Sequence, residues 1–93
     1  MSETRVVVTG MGAITPLGSS VAKFWNGLIE GRSGVRRITL FDPHDLPCQI
    51  AGEVPDFRPK EYMEKKMTRR VSRSSQMALA ATVQAIEHAG FSE

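Results

Sequence analysis

Disulfide chemistry is closed to this chain, because Cys48 is its only cysteine and has no partner within it. No Cys/His spacing resembles a zinc site, so no metal is expected. A single thiol fits a reducing, cytosol-like compartment, and a cytoplasmic location is the expectation. Apolar runs are short, and none approaches the roughly 18 residues that a membrane span needs. No secretory signal opens the chain, since Met1–Thr4 leads directly into a brief apolar burst. Internal repeats and low-complexity stretches are missing. Hydrophobic residues make up 41% of the 93, an ordinary share that argues against disorder.

Net charge is also scarce. The chain carries +2 from 12 basic and 10 acidic residues. Its distribution is uneven. Between Arg58 and Arg73 stand seven basic residues and two acidic ones, a local charge of +5 that leaves −3 for the remainder. A basic block on a near-neutral chain points to one anionic partner surface, not to a globally basic nucleic-acid binder.

What is present reads as α/β. Arg5–Gly10 has three consecutive valines without alternation, the pattern of a strand buried on both faces. Gly10–Gly18 follows as a glycine-rich turn in which Pro16 forbids a continuous helix. Ser19 or Ser20 is placed to cap a helix. Val21, Phe24, Trp25, Leu28 and Ile29 then form one helical stripe that Gly31 ends. Val35, Ile38 and Leu40 are candidates for a short strand, and Ile50–Val54 for another with Gly52 inside it. Pro59 suits the first position of a short helix through Lys60–Lys66. A long helix is expected from Thr68 or Arg69 to Ala89, with Thr68 as a possible cap and Gly90 as the stop. Its small residues on several faces suggest close packing inside a larger body.

A doubly covered strand needs neighbours on both sides and helices on both faces. One strong strand and two weak ones do not supply them. The expectation is an N-terminal piece of a larger α/β protein; the alternative is a compact domain whose weak strands are real.

The glycine turn after a strand invites a dinucleotide fingerprint, Gly-x-Gly-x-x-Gly. Thr15 stands where the third glycine belongs, and no Gly-Lys-Ser/Thr follows, so neither that site nor a P-loop is supported. The plain reading is that these glycines let the strand turn sharply.

The same residues carry a resemblance. Val6-Val7-Val8-Thr9-Gly10-Met11-Gly12-Ala13-Ile14-Thr15-Pro16-Leu17-Gly18 resembles the opening signature of the β-ketoacyl-acyl carrier protein synthases, the elongating condensing enzymes of bacterial fatty-acid synthesis. The likeness continues through Phe24–Leu28, Gly31–Gly34, Phe41-Asp42, Ala51–Val54 and the helix to Gly90. Modular polyketide ketosynthases share parts of it. The resemblance implies a thiolase-like fold of layered helix, sheet, helix, sheet and helix, usually homodimeric, with residues 1–93 as the N-terminal part of its first half and incomplete as an independent domain. It implies acyl transfer to a cysteine, then condensation with decarboxylating malonyl-carrier protein. The family's Cys nucleophile and two His residues lie beyond the region matched, so no catalytic residue is expected here and the chain alone is expected to be inactive. No cofactor is expected, because substrates ride on the phosphopantetheine of acyl carrier protein. Neither nucleic acid nor membrane is an expected partner.

Cys48 sits in Leu46-Pro47-Cys48-Gln49 with no helix start to favour a thiolate, and reads as an incidental small hydrophobe. His44 and His88 match no catalytic position. The basic block is the functional feature. Lys66, Arg69, Arg70 and Arg73 fall at i, i+3, i+4 and i+7, one face of any continuous helix. If Thr68 caps the helix, Arg69 and Arg70 enter its first turn and oppose its dipole, which hints at an anionic visitor. By the resemblance, Lys66, Arg69 and Arg70 match the patch that receives the acidic helix of acyl carrier protein; Lys65 and Arg73 stand beside them. The bland reading is a solvated face with Glu61–Lys65 and Lys60–Glu64 pairs. A non-enzymatic module binding an acidic protein or nucleic acid through Lys60–Arg73 is the rival, though Tyr62 is the only aromatic there for stacking.

Overall fold

The computed structural model describes residues 3–91; Met1, Ser2, Ser92 and Glu93, with the parts of the expected opening and ending that fall on them, lie outside the described residues. The order of elements is α1 (Val21–Ile29), β1 (Arg36–Arg37), β2 (Ile50–Ala51), a 3-10 turn (Pro59–Glu61), α2 (Lys65–Thr68) and α3 (Arg73–Ala89).

α1 forms as its pattern dictates. The Ser20 hydroxyl accepts from Lys23 N at 3.2 Å, satisfying a first-turn amide that has no helical partner. Gly31 and Gly90 take φ of 70° and 78° just past α1 and α3, the left-handed conformation that stops a helix cheaply only at glycine.

β1 and β2 pair antiparallel, Arg36 opposite Ala51 and Arg37 opposite Ile50. Ile38 N extends the ladder to Gln49 O at 2.9 Å. The expected Ile50–Val54 strand is thus only two residues long. Glu53 leaves the ladder to cap the facing loop. Its carboxylate accepts from Leu40 N, Thr39 Oγ1 and Thr39 N, which hold the carboxyl below its ordinary pKa.

The valine run departs from expectation. Residues 5–10 form no strand, and Val6, Val7 and Val8 are 91%, 69% and 81% exposed. The cause is pairing. A strand exists only where a neighbour accepts and donates its ladder bonds, and no described segment lies alongside.

From Gly10 the chain runs antiparallel to α3. Met11 N donates to His88 Nδ1 and Ala13 N to Gln84 Oε1, each at 3.0 Å. Gly10 and Gly12 press so closely on the backbone at Ala85, Ala89 and Ala81 that any Cβ would collide with α3. These two glycines serve close approach, not the sharp strand exit expected, and the alanine stripe of α3 is its counterpart. Thr15 and Gly18 close the turn with reciprocal 3.0 Å bonds around Pro16 and Leu17.

The core is small: Val54, Phe57 and Ala80, with Ile14, Tyr62 and Met77 against it. Gln76 and Ala80 are the buried residues of α3 within residues 3–91. On α1 the buried residue is Gly27, packed over Leu17, while Trp25, Leu28 and Ile29 stay 60%, 48% and 66% exposed. The accessible area is 7445 Å², against roughly 5,300 Å² for a compact monomer of this mass. The radius of gyration is 16.7 Å, where about 12 Å is usual for this length.

Candidate functional site

The basic block is built in two steps instead of one helix. Pro59 opens the 3-10 turn, its fixed φ suiting a first position and its missing amide costing nothing there. The helix expected through Lys60–Lys66 stops at Glu61 and restarts at Lys65. The long helix begins at Arg73, not at Thr68 or Arg69, because Ser72 takes the cap: its hydroxyl accepts from Ser75 N at 3.3 Å. Thr68 instead donates its hydroxyl to Lys65 O at 2.6 Å, closing α2.

The single helical face proposed for Lys66, Arg69, Arg70 and Arg73 is therefore broken at Ser72. Three of the four stay together. Arg69 N donates to Lys66 O at 3.3 Å, and both Arg70 N and Val71 N donate to Met67 O, at 3.0 and 3.2 Å. One helical turn thus carries Lys66, Arg69 and Arg70, all exposed. Gln76, buried on α3, donates to Thr68 O at 2.9 Å and Val71 O at 3.5 Å, fixing this turn to the longer helix. The first-turn argument for Arg69 and Arg70 lapses, since both precede α3.

Arg73 belongs elsewhere. Its guanidinium lies 5.3 Å from the Phe57 ring centroid and donates to Val54 O at 3.2 Å. It closes the core. Ion pairs among the described residues join Lys23 to Asp56 and Arg32 to Glu30, and the His44 ring lies 3.1 Å from the Asp42 carboxylate and 3.0 Å from that of Asp45. The Glu61–Lys65 and Lys60–Glu64 pairs of the bland reading are not formed. Lys65, Lys66, Arg69 and Arg70 carry no ion pair within the described residues. Lys66 and Arg70 line one open groove with Glu64, Met67 and Val71. Tyr62 stacks on Phe57, with centroids 6.4 Å apart.

No nucleophile meets a base here. Cys48 is exposed, and its thiol reaches the Ile50 carbonyl at 3.5 Å. His44 sits between Asp42 and Asp45 in its loop. His88 accepts the Met11 amide, a structural task for a residue at the end of α3. No group of three or more metal-ligating side chains occurs among the described residues.

Sequence reasoning missed a polar clasp. Gln84 accepts from Ala13 N and donates to Ser19 O at 2.8 Å and Tyr62 Oη at 2.9 Å, joining three segments through one side chain. Ser19 donates its hydroxyl to Asp56 at 2.7 Å, and Lys23 lies 3.6 Å from the same carboxylate. Burial tends to raise the Asp56 pKa, but the Ser19 hydroxyl and amide and the Lys23 charge together hold it below the ordinary value. A glutamine beside Ala85, within the small-residue stretch of α3, was the available signal.

Residues 3–93 match the family model for the β-ketoacyl synthase N-terminal domain. The chain is 44% identical, over 96% of its own length, to a 3-oxoacyl-acyl-carrier-protein synthase 2 from Synechocystis, and covers 21% of that protein. It is 47% identical, over 92% of its length, to a putative polyketide beta-ketoacyl synthase 1 from Streptomyces halstedii, covering 20% of it. The solved structure of the ishigamide ketosynthase/chain length factor superposes with a TM-score of 0.84 at 39% identity, over 94% of this chain and 22% of the other. The chain therefore spans about a fifth of the length of the relatives it matches.

Proposed function

Because the chain belongs to the β-ketoacyl synthase family through its N-terminal domain and has the fold of the corresponding part of a thiolase-like ketosynthase, we propose that the whole protein is a condensing enzyme of fatty-acid elongation. The observation that carries this reading is 44% identity to a 3-oxoacyl-acyl-carrier-protein synthase 2 across 96% of the chain.

In this reading an acyl group passes from the carrier thioester to an enzyme cysteine outside residues 1–93. Malonyl-carrier protein then loses its carboxylate as carbon dioxide. The electron pair of the broken bond attacks the acyl thioester carbon and the cysteine thiolate leaves. The logic is covalent catalysis with stabilised oxyanions. No cofactor is bound by this chain, and the acyl groups arrive on the phosphopantetheine of the carrier. The enzyme acts as a cytoplasmic homodimer. An exposed free thiol supports the reducing location, and no described helix is long and apolar enough to cross a membrane.

Residues 1–93 contribute scaffold and a docking surface, not the reacting groups. Lys66, Arg69 and Arg70 receive acidic side chains of acyl carrier protein. Three clustered cations without internal ion pairs support that role. Such contacts steer association and orient the partner, and weaken with salt. The Arg69→Glu, Arg70→Glu double variant of the full-length enzyme is expected to raise KM for acyl carrier protein about tenfold or more, with kcat little changed. Equal loss on a small acyl-thioester surrogate would remove docking as the role.

A further inference from the structure

The docking turn has an apolar floor that steering by charge leaves unexplained. Val71 N donates to Met67 O at 3.2 Å, an i to i+4 bond, so the two side chains stand on one face of the turn. Met67 is 46% exposed. With Glu64, Lys66 and Arg70, these two residues line one groove. Its floor is held from behind, because buried Gln76 anchors Thr68 O and Val71 O to α3.

We propose that this groove receives an apolar side chain from the acidic helix of the docking partner. Met67 and Val71 form the floor, and Lys66 and Arg70 the rim. The inference rests on the docking reading above and deepens it. Charge complementarity selects the occupant. Two rim cations face one rim acid, Glu64, so an apolar side chain flanked by carboxylates fits. A second copy of this chain would bring the same cations and be repelled. The division of labour follows from physics. Cations act at a distance and set the rate of encounter. A buried apolar contact acts after encounter, slows dissociation and is not screened by salt. Methionine suits the task because its unbranched thioether adapts to the side chain it meets.

The test measures the Kd of purified acyl carrier protein for the full-length enzyme at low and at high salt. Met67→Gln is expected to raise Kd about fivefold by the same factor at both. Met67→Leu, apolar and similar in size, keeps the parent Kd. The Arg69→Glu, Arg70→Glu variant loses more affinity at low salt than at high. If Met67→Gln binds like the parent while charge reversal weakens binding, the groove inference falls and the docking reading stands. If charge reversal leaves Kd unchanged, the docking reading falls and takes the inference with it. Met67→Leu weakening binding as much as Met67→Gln would also overturn the inference, since the side chain would then act through the fold.

Discussion

Two stretches of this chain are rich in apolar residues and end in opposite conditions. From Val54 to Ala89, Phe57 stacks on Tyr62, Arg73 covers Phe57, and Ala80 is fully buried. From Arg5 to Ile29, three valines and the Trp25, Leu28 and Ile29 stripe of α1 lie open. The difference is not hydrophobicity. The later stretch brings its own partners through a 3-10 turn, a short helix and a long one, each within a few residues of the next. Local contacts of that kind close without outside help. The earlier stretch consists of a strand segment and one helix face, and both need neighbours distant in sequence. Those open faces contribute to the excess surface of the chain. The relatives it matches are about five times as long, and we attribute the cover of these faces to chain outside residues 3–91.

Hollowing out the packed half is expected to have the largest effect. Phe57→Ala removes a 5% exposed ring together with its stack and its cation. It is expected to cost about 4 kcal/mol, read from denaturant unfolding of the full-length protein. Trp25→Ala sharpens the contrast from the other side. Its ring is open in residues 3–91, yet truncation in the full-length protein is expected to cost about 3 kcal/mol. A cost within about 0.5 kcal/mol, the usual effect of a surface change, would mean that this face stays bare.

A smaller effect is expected at the seam between the halves. Gln84→Leu abandons Ala13 N, Ser19 O and Tyr62 Oη at once. Loss of about 2 kcal/mol is expected in the same measurement, because groups left without partners cost more than the bonds themselves gave. The smallest effect is a pH dependence. The folded Asp56 pKa lies below its unfolded value, so its contribution is present above the ordinary carboxylate pKa and is lost as pH falls through the folded one. Melting temperature is expected to decline below about pH 4, and Asp56→Asn to flatten that decline in part.

Much of this was legible in the sequence. Ser20 before an i, i+3, i+4 stripe and Gly31 after it defined α1, because caps and periodicity are local. Gly90 marked the end of α3 for the same reason. The start of α3 was misjudged because Thr68 and Ser72 both suit a cap, and the choice is made by tertiary contacts of Gln76 and Arg73 that periodicity does not contain. That error mattered at the site. It put Arg73 on one helical face with Lys66, Arg69 and Arg70, where the structure sets its guanidinium over the Phe57 ring. Lys66, Arg69 and Arg70 survived the error, since a single turn keeps i, i+3 and i+4 together whether or not the helix continues. The Gln84 clasp was not legible, because its partners are 22, 65 and 71 residues away. The glycine pair was seen but misread. Gly10 and Gly12 look the same in sequence whether they turn a chain or admit a helix.

We expect Val6–Val8 to be a core strand whose neighbours come from chain outside residues 3–91. Hydrogen–deuterium exchange on the full-length protein and on residues 1–93 alone tests this pairing. The amides of Val6, Val7 and Val8 are expected to exchange freely in the short chain and to be as protected as that of Ala80 in the full-length protein. Free exchange of the three valines in both would contradict it.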